Sequence, residues 1–524
     1  MTKRSRRLPA LLLGLAALAA TPAGAQTLTM GVSAAPSSVD PHFHNGTSNQ
    51  TLTYQLFDTL FERQPDTSLT PALAASWKPI GDTVWEIRLR PGVIFTDGHP
   101  FTAEDVAFTI KRVPEVPNAT ARYIGSVRSI DRVEIVDPLT LHIHTKGPSP
   151  FLPVDLSNVA IVSRHIGETA TTEDYNSGKA AIGTGPYRLV SYRASDQVEL
   201  ARNDNWWGRR PDWEKVTIRF LPNTGGRTAA LLSGSVDLID TPSPNDLPNF
   251  EKDDRFRVWQ HPGMRLVYLA PNLQSDALPM ATDNDGKPLA TNPLKDLRVR
   301  EALSIAINRD GLARRIMQGT AIPNGQFVPP GAYSYAPQAP VPAYDPARAR
   351  RLLAEAGYPN GFRVVLPLTN NTRPTDPTTG QAIAQMWTQI GVQTTVEAMP
   401  LAAYSPRAAR MEFPFSLFGW GAAGHSGHPL VNVVNTNDRE KLTGSFNRSG
   451  YSNPALDELT ARALATMDDK QRESLLQEAV GMAMKDVSII PLYQLTNFWV
   501  TRKGVAYRAS AQDYTQAKEA TLEK

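Results

Sequence analysis

From Val84 to Arg90 side chains alternate. Val84, Glu86, Arg88 and Arg90 interleave with Trp85, Ile87 and Leu89, the period of a half-buried strand. Pro91-Gly92 and Asp97-Gly98 then force two turns. Thr102-Ala-Glu-Asp follows as a helix N-cap with first-turn acids, opening a helix through Val106, Phe108 and Ile110. A chain that passes so quickly from strand to helix must stack helices on a sheet. The same interleaving recurs downstream. Val299, Ala302, Leu303 and Ala306 fall at helical spacing, and residues 348–356, 456–463 and 471–484 predict three more helices. Strand-like runs fall at 27–32, 198–201, 216–221, 266–270, 364–368 and 415–418. The pattern is α/β, and 524 residues predict two or more domains.

The first residues carry an address. Lys3, Arg4, Arg6 and Arg7 precede an apolar run at 8–20, and Ala23-Gly24-Ala25 supplies small residues for cleavage. Cleavage after Ala25 would leave Gln26 at the mature end. The apolar run is short for a bilayer and stops at Thr21-Pro22. Those four cations are part of 54 against 51 acids, so the remaining chain is close to neutral. No nucleic-acid or polybasic membrane role is predicted. There are no cysteines. A chain this long buries enough core without disulfides, and no Cys follows the leader to take a lipid. The 43 prolines exceed the roughly 5% usual in proteins. They cluster at 241–248, 323–346 and 374–377, which read as surface loops stiffened by Pro.

Several phrases occur in a telling order. They are Leu56-Phe-Asp-Thr-Leu60, Pro71-Ala-Leu-Ala-Ala-Ser-Trp77, Leu89-Arg-Pro-Gly-Val-Ile-Phe95 and Asp97-Gly-His-Pro-Phe-Thr-Ala-Glu-Asp-Val106. Gly183-Thr-Gly-Pro-Tyr187, Asn203-Asp-Asn-Trp-Trp-Gly208, the run from Asp296 to Asn308, and Tyr451-Ser-Asn-Pro-Ala-Leu-Asp457 follow. In this order the chain resembles the family 5 solute-binding proteins of bacterial ABC importers, the dipeptide- and oligopeptide-binding proteins, over nearly all of its length. The resemblance implies a periplasmic binding protein type II-like α/β fold, with two lobes joined by hinge crossovers and a small extra domain (cluster C). Lobe I would comprise 27–60, 185–275 and 490–524, the small domain 61–184, and lobe II 276–489. It also implies a monomer free in the periplasm. Its partners would be a small peptide or peptide-like solute and an ABC permease of the inner membrane. No enzyme activity and no cofactor are implied.

The first site candidate is Phe418-Gly-Trp-Gly-Ala-Ala-Gly-His425. An aromatic at a strand end followed by a glycine-rich loop offers a stacking wall with exposed backbone donors. Trp420, Gly421, Ala422, Ala423 and His425 are therefore candidates. The peptide-binding relatives carry an acid three residues after this Trp, for the ligand's α-amino group. Here that position is Ala423, with no acid between Glu412 and Asp438. Some relatives place an Arg three residues before it; here that is Leu417. A buried ammonium without a partner is costly, so the usual peptide pose is not available. By the same resemblance Asn45 and Thr47, just past Asp40-Pro-His42, and Tyr123, beside Arg122, would contact the ligand.

His42/His44, His142/His144 and His425/His428 show no Cys and no clear carboxylate companion in sequence, so no metal site is expected. There is no Cys nucleophile, no Gly-x-Ser-x-Gly and no dinucleotide glycine loop. The alternatives are an exported carbohydrate- or polymer-acting enzyme, or the same fold holding a sugar-like solute or nickel chelate. An enzyme of that kind would need facing carboxylates in the cleft.

Overall fold

The computed structural model describes residues 26–119, 123–373 and 375–523; the leader expected at 1–25, Arg122 and Pro374 lie outside the described residues. The strand-to-helix unit forms where the pattern places it. Val84–Leu89 is a strand with Trp85, Ile87 and Leu89 buried. The helix Ala103–Arg112 starts in a capping box between Thr102 and Asp105. Ala74–Gly81, Val84–Leu89, Thr140–Thr145 and Ile130–Asp137 make a four-stranded sheet around a compact core of their own.

A nine-stranded sheet organises the rest. Its order is Phe415–Gly421, Phe256–Pro271, Ile490–Arg502, Leu238–Asp240, Thr27–Val32, Lys215–Phe220, Gln197–Arg202 and Tyr187–Arg193, with Ala321–Pro323 also on Ile490–Arg502. Thr27–Val32 runs parallel to both neighbours. A separate three-stranded sheet joins Ala281–Thr282, Phe362–Thr369 and Val392–Met399, covered by the helices Leu297–Ile305, Pro346–Glu355 and Asp376–Gln389.

One strand reaches further than its sequence pattern suggested, and its partner Ile490–Arg502 is not among the strand-like runs. Only residues 266–270 read as a strand, yet Phe256–Pro271 is continuous over 16 residues and pairs antiparallel with Ile490–Arg502. Gln260-His261-Pro262-Gly263 hid the first half. The sheet absorbs Pro262 and Gly263 in a register shift between Pro262 and Leu266, as a bulge can. Beyond the shift Val267, Leu269, Ile490, Leu492 and Tyr493 enter one core, while Phe256, Phe498 and Val500 enter another. A side chain satisfies one of the groups freed by the shift. Buried Gln494 donates from Nε2 to Gly263 O at 3.0 Å and accepts from Asn324 Nδ2 at 3.0 Å. A Cβ on Gly263 would sit 2.9 Å from Leu495 O, so glycine is required there. The proline-rich stretch 323–346 differs from the surface loop its composition predicted. Phe327, Val328 and Ala336 are buried in it, and Gln326 bonds Ala336 O and Ala339 O. Apolar residues between the prolines draw it inward.

Buried acids fix the four-stranded unit to the large sheet. Arg112, ending the capped helix, grips Asp40 through Nη1 at 2.9 Å and Nη2 at 2.6 Å. It also donates to His42 Nδ1 at 2.8 Å, while His42 Nε2 donates to Ala160 O. Burial and the guanidinium push His42 down to about 4, so it stays neutral. Asp40 meets His42 through its backbone N–H, at 3.1 Å, and the ring only by way of Arg112. Asp58 accepts from Trp206 Nε1, Trp207 Nε1 and Thr184 Oγ1. Its pKa rises to about 6 because burial outweighs these donors.

Removing one member of a buried ion pair strands the other, at about 3–5 kcal/mol. Asp40→Ala should therefore lower unfolding free energy by roughly that amount in urea titration, and a loss below about 1 kcal/mol would show that Arg112 finds other partners.

Candidate functional site

Beside the register shift lies a cavity of about 570 Å³, within the range of small-molecule sites. Its walls come from four parts of the chain: residues 45–158, the strand residues Met264 and Arg265, residues 421–464, and residues 497–514. Two larger cavities, of about 650 and 900 Å³, take no residue from 276–489. Of these three the cavity of about 570 Å³ is the one also lined by residues 421–464, between the halves that the long strands connect.

The halves also touch around it. Phe151 stacks on His425 with centroids 3.7 Å apart and planes 3° from parallel. The Arg472 guanidinium lies 5.0 Å from the same ring, and Tyr333 meets it edge-on. A Cβ on Gly424, at φ +90°, would lie 3.3 Å from Thr67 Oγ1. The glycine run thus lets the loop after Phe415–Gly421 lie against the hairpin of Phe61–Arg63 and Leu69–Pro71.

The candidates from sequence divide in two. Asn45, Tyr123, Gly421, Ala422, Ala423 and His425 line the cavity. Trp420 and Thr47 stand behind its wall. Trp420 packs between His428 and Phe446, with centroids 5.5 and 4.8 Å away, and donates from Nε1 to His428 Nδ1 at 3.3 Å. Thr47 Oγ1 donates to Asp513, which itself lines the cavity and pairs with Arg265 at 3.3 Å. Ala422 N donates to Met264 O at 2.9 Å, which fixes the loop to the shifted strand. Tyr123 is buried, with its hydroxyl unpaired among the described residues.

The sequence reading missed Phe151, Arg63, Arg128, Asp155 and Tyr514, all lining the cavity. None belongs to a motif with a chemical signature; tertiary folding alone assembles them. Arg63 is held by Ser157 Oγ at 2.8 Å and Val154 O at 2.9 Å. Burial, with Arg63 and Arg128 nearby, pushes His428 down to about 4. Burial, His428, Arg63 and Arg472 hold His425 well below the usual range. Both rings are neutral at pH 7. Elsewhere His144 pairs with Glu134 at 2.8 Å and His142 with Glu86 at 3.7 Å, correcting the expectation that these histidines lack carboxylate companions. No group of three His, Asp or Glu residues suited to a metal occurs among the described residues.

A histidine buried neutral loses folding free energy as pH falls from its unfolded value toward its folded one. The stability advantage of the parent over His428→Gln should shrink between pH 6.5 and 4, by at most about 3 kcal/mol. Guanidinium melts across that range check this; a constant difference would mean that His428 does not titrate as described.

The fold and cavity define a two-lobed container for a small solute, its halves sharing continuous strands. The chain matches the profile described as "Bacterial extracellular solute-binding proteins, family 5 Middle" over residues 68–441. It is 30% identical over 477 residues to a glutathione-binding protein GsiB of Pectobacterium atrosepticum, covering 88% of each chain. It is 26% identical to heme-binding protein A of Haemophilus influenzae, covering 86% of this chain and 84% of the other. The solved DppA of Helicobacter pylori, a periplasmic binding protein in complex with the peptide STSA, superposes with a TM-score of 0.75 at 25% identity, over 95% of this chain and 98% of that one. The chain belongs to family 5 of the bacterial extracellular solute-binding proteins. Its fold is the type II periplasmic binding protein fold, with two lobes and a small extra domain.

Proposed function

We propose that this protein is the substrate-binding component of an ABC importer. It captures a small peptide or peptide-like solute between its lobes in the periplasm and delivers it to an inner-membrane permease. The observation that carries this reading is the cavity of about 570 Å³ beside the register shift of the two crossover strands. A solute there touches both halves, and so binds the closed form better than the open one. The relatives named for glutathione, dipeptides and heme favour small organic solutes, peptides among them.

Gly421, Ala422, Ala423, Asn45, Tyr123 and His425 are assigned as ligand contacts, with Trp420 and Thr47 holding the wall. Lobe I is assigned to 27–60, 185–275 and 490–524, the small domain to 61–184, and lobe II to 276–489. The leader is cut after Ala25. Among the described residues no helix is long and apolar enough to cross a membrane. Against catalysis stands the state of the two cavity acids. Arg265 and Thr47 already engage Asp513, leaving Asp155 as the one cavity acid without such partners among the described residues, where glycoside hydrolysis needs a working pair.

A ligand specific to the folded state raises the melting temperature as its concentration exceeds Kd. A thermal-shift screen should give a concentration-dependent rise with reduced glutathione or tripeptides, and none with maltose or nickel–histidine. A rise with maltose or nickel–histidine alone would replace the peptide reading with a sugar or chelate one.

A further inference from the structure

The acid that peptide-binding relatives carry three residues after the Trp is absent here, where Ala423 stands. A different acid reaches the same cavity from the opposite wall. Asp155 lies in the short helix Leu152–Leu156 of the small domain, four residues beyond Phe151, whose ring stacks on His425. Among the described residues its carboxylate has no hydrogen-bond or ion-pair partner. Arg63 and Arg128 are the cations whose field it feels. The Arg128 guanidinium is exposed and likewise has no hydrogen-bond or ion-pair partner among the described residues. Arg63 spends Nε and one Nη on Ser157 and Val154 O, leaving its other Nη free.

The remaining charges of the cavity are accounted for. Arg265 and Asp513 pair with each other, and His425 and His428 are neutral. What stays unmatched is two guanidiniums and one carboxylate. Burial raises the Asp155 carboxyl to about 7 against the lowering pull of Arg63 and Arg128, and a bound ammonium would favour its charged form. A solute of complementary charge would pair groups that have no charge partner among the described residues.

We propose that Asp155 takes the ligand's ammonium, replacing the acid absent at position 423, and that Arg63 and Arg128 take two carboxylates. The cleft thus selects small peptides carrying one free amine and two acid groups. This assignment rests on the peptide reading above and narrows it. It also explains why losing the acid at 423 need not abolish peptide binding: the anchor moves to the other wall, on the helix that already meets the loop through Phe151.

The test is calorimetric titration of the purified protein with reduced glutathione, N-acetylglutathione and trialanine. Glutathione should bind about tenfold or more tighter than trialanine, which has one carboxylate. Asp155→Asn should weaken glutathione about tenfold or more while leaving N-acetylglutathione, which lacks the ammonium, unchanged. Arg128→Gln alters an exposed side chain, and should weaken glutathione and N-acetylglutathione alike. Unaltered glutathione binding in Asp155→Asn, or trialanine binding as tightly as glutathione, overturns the assignment alone. If the parent binds none of the three, the peptide reading falls and the assignment with it.

Discussion

The pairing of Phe256–Pro271 with Ile490–Arg502 is the constraint on which the rest depends. These strands are continuous through both halves, yet their register breaks between Pro262 and Leu266. A uniform ladder over that length would join the halves stiffly. The break ends the shared hydrogen bonding where the cavity begins, so Met264, Arg265 and Asn497 face the space between the halves. A defect in a ladder leaves unpaired backbone groups, and burying them is costly. Gln494 Nε2 meets that cost at Gly263 O, and Asn324 Nδ2 holds the Gln494 amide in place by donating to its Oε1. Asn497 Nδ2 meanwhile bonds the carbonyls of Ser510, Ala511 and Gln512, drawing the carboxy-terminal segment to the cavity floor.

Asp40 and Asp58, which fasten the small domain to the large sheet, are surrounded by donors. These are joints in which every strong group has a partner, so this part of the molecule should move as one body with lobe I. At the cavity wall Tyr123 Oη and His425 Nδ1 are buried without hydrogen-bond partners among the described residues, and the Asp155 carboxylate, half-buried, has none there either.

Much of the fold was legible because local rules decided it. Thr27–Val32 alternates, Thr102 and Asp105 cap their helix, and Gly357 at φ +92° follows Pro346–Glu355. The sequence misled where tertiary packing overrode a local signal. Pro262-Gly263 interrupted the strand pattern, which reads as a strand only at 266–270, and lies within a strand; the prolines of 323–346 looked like surface and surround buried Phe327. Site legibility followed the same division. The loop after Phe418 announced itself through its aromatic and glycines, but Trp420 turned toward His428 and Phe446, leaving the backbone and small residues after it on the cavity wall. Asp155 sits in Leu-Pro-Val-Asp-Leu, a stretch with no chemical signature, and gains its character only from the arginines that folding brings near.

Small-angle X-ray scattering of the purified protein, with and without saturating reduced glutathione, tests the central claim most directly. Halves hinged at the register shift and drawn together by a solute between them should show a smaller radius of gyration when the solute is bound. Calorimetric saturation with an unchanged radius would contradict the account, because a solute bound without moving the halves is not one held by their closure.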